Sequence, residues 1–511
     1  MTQTADQIRF EVYKDGQRLT QFTPAVPTTL ASESIPTPGD WKWRDARLSF
    51  GPTDQAMGFG LLWNHSPNGS EMNSALMLET TRLPPRAQSY VLNVELARGR
   101  LMKILQRLED WLLLDTDLGR EIVDRFRVLQ QQFAEALCNL HEPSVASQLA
   151  DKVLSDAIVL GDDLSLLWSE LGLQRRRAMN AFPRHTLGIC IDVNNRNQRV
   201  KDFACENFDY AIVPFTWKSL QVAEDRYDTE ALDEWIDVLT RKRIPIITGP
   251  IIDPHDDSLP DWLAIYERDV DMFRELMLGF IRAVVTRYRK FVAVWTVCSG
   301  LNIPGTLRLN FEQTVELTRQ LVGQVKQILP TARTLVGIRD PFGERHAASA
   351  MGVPPMTYAD VVGQTVNCDG IAVELEAGVP RTGSTLRSLF DINTLFDRLS
   401  LAGKPIFITS LSCPGRNTPD PGDRSEGRLD PRHAGQLQVP WSPGAQADWA
   451  RHVYRAALAK PFIESVAWAD ICDASAALPG GGMLDDMLKP KPLTAVISEL
   501  RHLVARPARR A

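Results

Sequence analysis

Residues 228–252 read DTEALDEWIDVLTRKRIPIITGPII, and they carry one full period of the pattern that decides the fold. In the first half, Leu232, Trp235, Ile236 and Leu239 recur at helical spacing and form one apolar stripe. Asp228 stands where a side-chain oxygen can satisfy the free N–H groups at the start of a helix running to Lys242. The second half, Ile244 to Ile252, is almost continuously apolar and β-branched, as a strand covered on both faces must be.

The same unit recurs along the chain from His185. Strands are expected at 187–193, 210–215, 244–252, 292–298, 334–338, 371–375, 405–411 and 465–471, with helices at 268–288, 311–329, 387–401, 445–459 and 493–504. Eight strand–helix units in about 330 residues match an α/β fold of the (β/α)8 TIM-barrel type, whose site lies at the C-terminal ends of the strands. A doubly wound open sheet is the rival. No GxGxxG follows a strand, which weakens that rival and a dinucleotide role together.

Upstream the period changes. Ile8, Phe10 and Val12 alternate with polar residues up to the turn pair Asp15-Gly16, and Trp41 to Phe50, Phe59 to Asn64 and Tyr90 to Leu96 continue the strand pattern. Residues 1–96 therefore read as a small β-sandwich, similar to a carbohydrate-binding module. Leu101, Ile104, Leu105 and Leu108 then switch to helical spacing, and further helical runs cover 121–140 and 145–173. Residues 97–180 are expected to form a helical connector and 181–511 the barrel.

Composition limits the function. The chain has 511 residues, 44% of them hydrophobic and 23% charged, the balance of a folded, water-soluble protein of two to four folding units. A net charge of -6 argues against a broad nucleic-acid surface, and only the tail from Arg501 to Arg510 is locally basic. No apolar run approaches the ~18 residues of a spanning helix, so no membrane partner is expected. The start MTQTADQIRFEVYKDG lacks the parts of a secretory signal, which favours the cytoplasm if this start is the native one. Seven cysteines stand singly with no CxxC, so reduced thiols are expected, with no metal and no cofactor. Oligomeric state is left open by the sequence.

Several motifs, in order, resemble the glycoside hydrolase family 10 barrel, the fold of endo-1,4-β-xylanases. They are Trp217-Lys218-Ser219-Leu220-Gln221 with Tyr227-Asp228, Leu259-Pro260-Asp261-Trp262-Leu263, Cys368-Asp369-Gly370-Ile371, Trp468, Gly482-Met483-Leu484-Asp485-Asp486 and Lys489-Pro490-Lys491-Pro492. The resemblance covers roughly residues 185–505 and leaves the first 180 residues without a counterpart. It implies retaining hydrolysis of β-1,4-xylan by two carboxyl groups, a proton donor and a nucleophile. Where the family places the donor, after the fourth strand, this chain has Trp295-Thr296-Val297-Cys298-Ser299-Gly300. Where it places the nucleophile, on the seventh, this chain has Ile408-Thr409-Ser410-Leu411-Ser412. Gly300 cannot give a proton and Ser410 is no carboxylate, so the family mechanism does not carry over.

The resemblance also marks drifted substrate positions: Ile212, Val213 and Thr216 for the second strand, Pro250 and Pro254 for the third, with His255 retained, and Glu374 and Glu376 for the sixth. From the resemblance and from position at strand ends, candidate substrate contacts are Trp217, Lys218, Asp253, His255, Trp262, Asn302, Arg339, Asp340, Trp468 and Asp473. Trp441 joins the tryptophans that the family pattern brings near the mouth, where flat rings stack on sugars or simply pack.

Other chemistry is conceivable at the same mouth. Glu374 and Glu376 are two apart on one strand and point to one side, where mutual repulsion raises carboxyl pKa values. With Asp470, or with Asp192, Asp253 or Asp473, they are candidate replacement acids; the plainer alternative pairs them with Arg339 or Arg345. Ser410 lacks the GxSxG surroundings of an acyl-transfer nucleophile. Cys298, Cys413 and Cys472 at strand ends, with His255 on a neighbouring loop, make a thiolate or metal site conceivable, but they read first as small apolar fillers. The Pro- and Gly-rich segment 413–441 is expected to cover the site. Three functions follow: a pseudoenzyme that binds an oligo- or polysaccharide, an O-glycosyl hydrolase with relocated carboxylates Glu374, Glu376 and Asp470, or an assembly scaffold with an inert barrel.

Overall fold

The structure, a computed structural model, describes residues 6–31, 35–66, 74–255, 258–266, 269–348, 352–419 and 430–505. Eight parallel strands close into a barrel: Leu187–Cys190, Tyr210–Val213, Ile246–Thr248, Val292–Ser299, Arg333–Ile338, Gly370–Glu376, Ile406–Ser412 and Ile463–Trp468. They are called the first to eighth strands below. Closure is direct, with Leu187 opposite Val466 and Ile189 opposite Trp468. Tyr210, Ile212, Ile247, Val294, Leu335, Ala372, Phe407 and Ala467 pack together as one buried cluster contributed by seven of the strands. Large and branched side chains fill such an interior, so the barrel is a core and not a pore.

All eight expected strands are present, several of them shorter. The third is Ile246–Thr248 because Pro245 has no N–H to pair and Gly249-Pro250 ends the run. Its preceding helix is Glu230–Arg241, which starts after Thr229 rather than at Asp228. Thr229 Oγ1 donates to Asp233 Oδ2 at 2.9 Å and caps nothing, while Asp228 Oδ1 accepts from Glu230 N at 3.4 Å. The apolar stripe itself is as expected, with Leu232, Trp235, Ile236 and Leu239 buried.

By its packing the chain divides into two compact units, one of Met1–Trp168, Gly378–Asn393 and Ser425–Pro440, the other of Ser169–Ala377, Thr394–Arg424 and Trp441–Ala511. The first contains a β-sandwich. One sheet orders Tyr90–Val91, Ile8–Glu11, Arg47–Phe50 and Lys42–Arg44, and the other orders Pro36–Thr37, Ala25–Leu30, Gly58–His65 and Ser74–Glu79. Phe10 of one sheet stacks on Phe59 of the other at 5.9 Å, and Trp41 lies 4.2 Å from Phe59. Aromatic pairs at these separations add to the area they bury.

The strand expected at 90–96 is a correction. Only Tyr90 and Val91 pair, with Phe10 and Glu11, and a helix begins at once, Leu92–Asp110. Buried Leu92 and Leu96 are four apart and extend backward the stripe of Leu101, Ile104 and Leu108, so the helical period starts earlier than the alternation suggests. Helices Arg120–Cys138 and Pro143–Ala178 follow. Among the described residues no helix is long and apolar enough to cross a membrane.

Two segments that leave the barrel strands belong to the first unit. Gln436 and Ala75 exchange backbone hydrogen bonds, both 2.8 Å, and Met77 N donates to Leu386 O at 3.2 Å. Buried Arg100 reaches Asp391 at 3.1 Å and Ser388 at 2.9 Å. Part of the segment 413–441, expected to cover the barrel site, is thus built into the sandwich unit, and residues 420–429 of it lie outside the described residues.

Candidate functional site

The mouth is built from strand ends by an interlocked set of charges. Arg339, just past the fifth strand, donates through Nε to Glu374 Oε2 at 2.9 Å and contacts Asp253 Oδ2 through Nη1 at 2.8 Å. Glu374, on the sixth strand, accepts a second bond from Ser299 Oγ at 2.8 Å. Asp253 Oδ1 meets His255 Nδ1 at 2.6 Å, and its Oδ2 also accepts from Ser258 Oγ at 2.7 Å. Asn302 braces the backbone: its Nδ2 donates to Arg339 O at 2.8 Å and its Oδ1 accepts from Arg339 N at 3.2 Å. Burial opposes the charge on Arg339, but Glu374 and Asp253 outweigh it and hold the guanidinium pKa above its ordinary value. Burial likewise opposes the Asp253 carboxylate, yet His255 and Arg339 pull its pKa below the usual range.

Two glycines make room for this set. Gly300 follows the fourth strand with φ +77, and a Cβ there would stand 2.8 Å from His255 Cε1 and 3.1 Å from Arg339 Cδ. Gly337, on the fifth strand, leaves the space that Ser299 fills: a Cβ would fall 2.4 Å from Ser299 Oγ. Gly337→Ala is therefore expected to cost about 1–3 kcal/mol by overpacking, read from denaturant unfolding, and to displace Ser299 from Glu374. Ser410 lies on the seventh strand opposite Glu374 in the pairing register, and Ser412 opposite Glu376.

Asp470 follows the eighth strand, its Oδ2 accepting from Ala477 N at 3.3 Å. Burial pushes its pKa up to about 7, and Glu376, Asp192 and Asp473 add to the rise. A carboxyl group near neutrality at the end of a barrel strand is available to donate a proton.

The remaining candidates take other roles. Trp217 and Trp468, named as sugar platforms, are fully buried: Trp217 bonds Gln221 Oε1 at 2.8 Å and stacks on Phe280 at 5.0 Å, and Trp468 bonds Gly481 O at 2.8 Å. Side chains with at most 1% of their surface exposed present no ring face to a ligand, so these two are corrected to core. Trp262 is partly buried, with its indole N–H on Gln221 O and its ring edge-on to Trp217. Trp441 is partly buried and packs edge-on to Trp449. Lys218 pairs with exposed Asp261 at 2.6 Å. Asp340 is buried and accepts from Glu344 N and Arg345 N, holding the start of the helix Glu344–Ala348; burial and Glu344 push its pKa up to about 7. Asp473 is engaged by Lys491 and Arg416, each at 2.9 Å.

Ser299 and Ser258 enter the site without having been singled out in the sequence. The signal for Ser299 was its place immediately before Gly300; Ser258 offered none. Burial raises the thiol pKa values of Cys298, Cys413 and Cys472, the last to about 11, so these are not thiolates near neutrality. Among the described residues no group of three His, Cys, Asp or Glu side chains is placed to hold a metal ion.

Fold and site together define a (β/α)8 barrel whose mouth carries an Asp253–Arg339–Glu374 ion network. No known family model matches the chain, and no curated protein is similar to it. Among solved structures it is similar to native xylanase 10B of Thermotoga maritima, with 14% identity and TM-score 0.48 over 65% of this chain and 97% of that one. A family 10 endoxylanase from a sugarcane soil metagenome gives 15% and 0.48 over 62% and 97%. A thermostable mutant of the xylanase Xyn10A of Cellvibrio japonicus gives 14% and 0.48 over 63% and 98%. Likeness at this level carries nothing about activity or ligand; the barrel stands on its own paired strands.

Proposed function

We propose that the barrel is a carbohydrate-related domain that binds a glycan at its mouth without retaining hydrolysis. The observation that carries this reading is the state of Glu374. Retaining hydrolysis needs one carboxyl group free to give a proton and another free to attack. Glu374 is instead bonded by Arg339 and Ser299, and Gly300 leaves no space for a carboxylate beside them. Arg339 and Glu374 nevertheless keep 28% of their side-chain surface exposed, so both can bond sugar hydroxyls. Titration calorimetry with xylo-oligosaccharides and other glycans is expected to detect binding with no release of reducing ends, weakened at least tenfold by Glu374→Gln. Absence of binding to every glycan tried would favour the inert scaffold.

A second reading, hydrolysis by relocated acids, is favoured by one observation, the raised pKa of Asp470 beside Glu376. In it Asp470 gives the proton and Glu376 supplies the carboxylate. Hydrolysis abolished by both Asp470→Asn and Glu376→Gln would establish it and overturn the first.

Asp470 also predicts a pH effect on stability. Its folded pKa, about 7, lies above the ordinary 3.8, so the folded form retains a proton that the unfolded chain has lost. Its contribution is therefore fully present below about pH 4 and lost as pH rises to about 7. Asp470→Asn removes that loss, and relative to wild type it is expected to gain on the order of 2–4 kcal/mol between pH 4 and pH 8, read from unfolding curves.

A further inference from the structure

The sandwich unit holds a solvent-open cleft of about 570 Å³, within the range of small-molecule sites. We infer that it binds a small hydroxylated organic acid, a sugar acid in size and chemistry, with the acid group on Arg86. The lining places Arg47, Arg86 and Arg98 beside Glu11 and Glu95. Glu11 Oε1 is shared, by Arg47 at 3.4 Å and by Arg18 at 3.1 Å, and Glu95 takes Arg98 at 2.9 Å. In the lining three guanidinium groups thus meet two carboxylates, and the surplus is positive.

Of the three arginines that line the cleft, Arg86 is the one with no acidic partner among the described residues. Its guanidinium carbon lies 3.5 Å from the centre of the Tyr90 ring, and its Nε and Nη2 donate to Gln88 O at 3.2 Å and Ser89 O at 3.4 Å. These bonds hold the plane through Nε and Nη2 and use neither Nη1 hydrogen, and a fixed planar fork of this kind suits arginine to carboxylate recognition. The other features narrow the class. Leu83, Pro84 and Leu140 present apolar surface, which an inorganic anion would leave uncovered. A plain aliphatic acid would desolvate Glu11 and Glu95 without giving them donors, which is costly, whereas hydroxyl groups supply those donors.

The test is titration calorimetry of the full chain with D-glucuronate, D-glucose and inorganic phosphate. Glucuronate is expected to bind at least tenfold more tightly than glucose and than phosphate, with affinity falling as salt is added. Arg86→Gln is expected to weaken glucuronate at least tenfold, and Arg86→Lys, which keeps charge but loses the planar fork, to fall between. Melting curves report folding of each variant, and Arg47→Gln serves in place of Arg86→Gln should that one not fold. No glucuronate binding, equal binding of phosphate, or binding indifferent to the arginine variants would each overturn the assignment.

Discussion

Arg339→Met is expected to lower stability by about 3 kcal/mol at neutral pH, because breaking a buried charge network strands the carboxylates it held. Asp253 is 6% exposed and Glu374 28%, and both touch the same guanidinium, so its loss leaves two negative charges facing one another. The pH dependence distinguishes this cause from lost packing. In the wild type Asp253 has a folded pKa below its ordinary value, so it stabilises the fold above that value and ceases to do so as pH falls through the folded pKa. Without Arg339 the carboxyl takes up its proton at higher pH, and the deficit of the variant shrinks on acidification. Denaturant unfolding at pH 7 and pH 4 reads both effects. A deficit of equal size at the two values would assign the loss to packing. Arg339→Lys, which keeps the charge but not the two-armed geometry, is expected to recover part of it.

Gly300→Glu, alone or with Ser410→Glu, is expected to produce no glycosidase. The substitution supplies the residue types that retaining hydrolysis requires but not the space for them. A side chain at φ +77 costs roughly 1–2 kcal/mol on its own account. Its Cβ would press on His255 and Arg339, so the network would have to open before a carboxylate could face a sugar. Release of reducing ends from xylan, followed beside a thermal melt, measures both consequences: no hydrolysis and a clear drop in melting temperature. Turnover by the single variant would show that the mouth still accepts a proton donor at that position.

The eight repeats were legible because a strand covered on both faces and a one-sided helix each carry a local period, as in residues 228–252. Helix ends were less so: Asp228 suits a cap, yet the helix starts one residue later, after a Thr229 whose hydroxyl turns to Asp233 and caps nothing. The β/α order also brought Asp253, His255, Asn302, Arg339 and Glu374 to one end of the barrel, and the sequence named each. What it did not reveal was which acid the arginine takes, since Arg339 joins residues 86 and 35 positions away and only packing decides the pairing. Trp217 and Trp468 were misjudged for the complementary reason: amphipathic rings suit a ligand and a core equally, and only burial separates the two.

The order of synthesis gives the sandwich unit an unusual history. Its first 168 residues leave the ribosome early, but Leu386, Phe390 and Gln436, which complete it, follow more than two hundred residues later. Until then the edge at Ala75 and Met77 lacks these backbone partners, and Arg100 lacks Asp391 and Ser388. Separating the chain near residue 168 would therefore leave two pieces that each lack what the other holds, and a nascent chain stalled before residue 440 would expose an unfinished edge to chaperones or to aggregation.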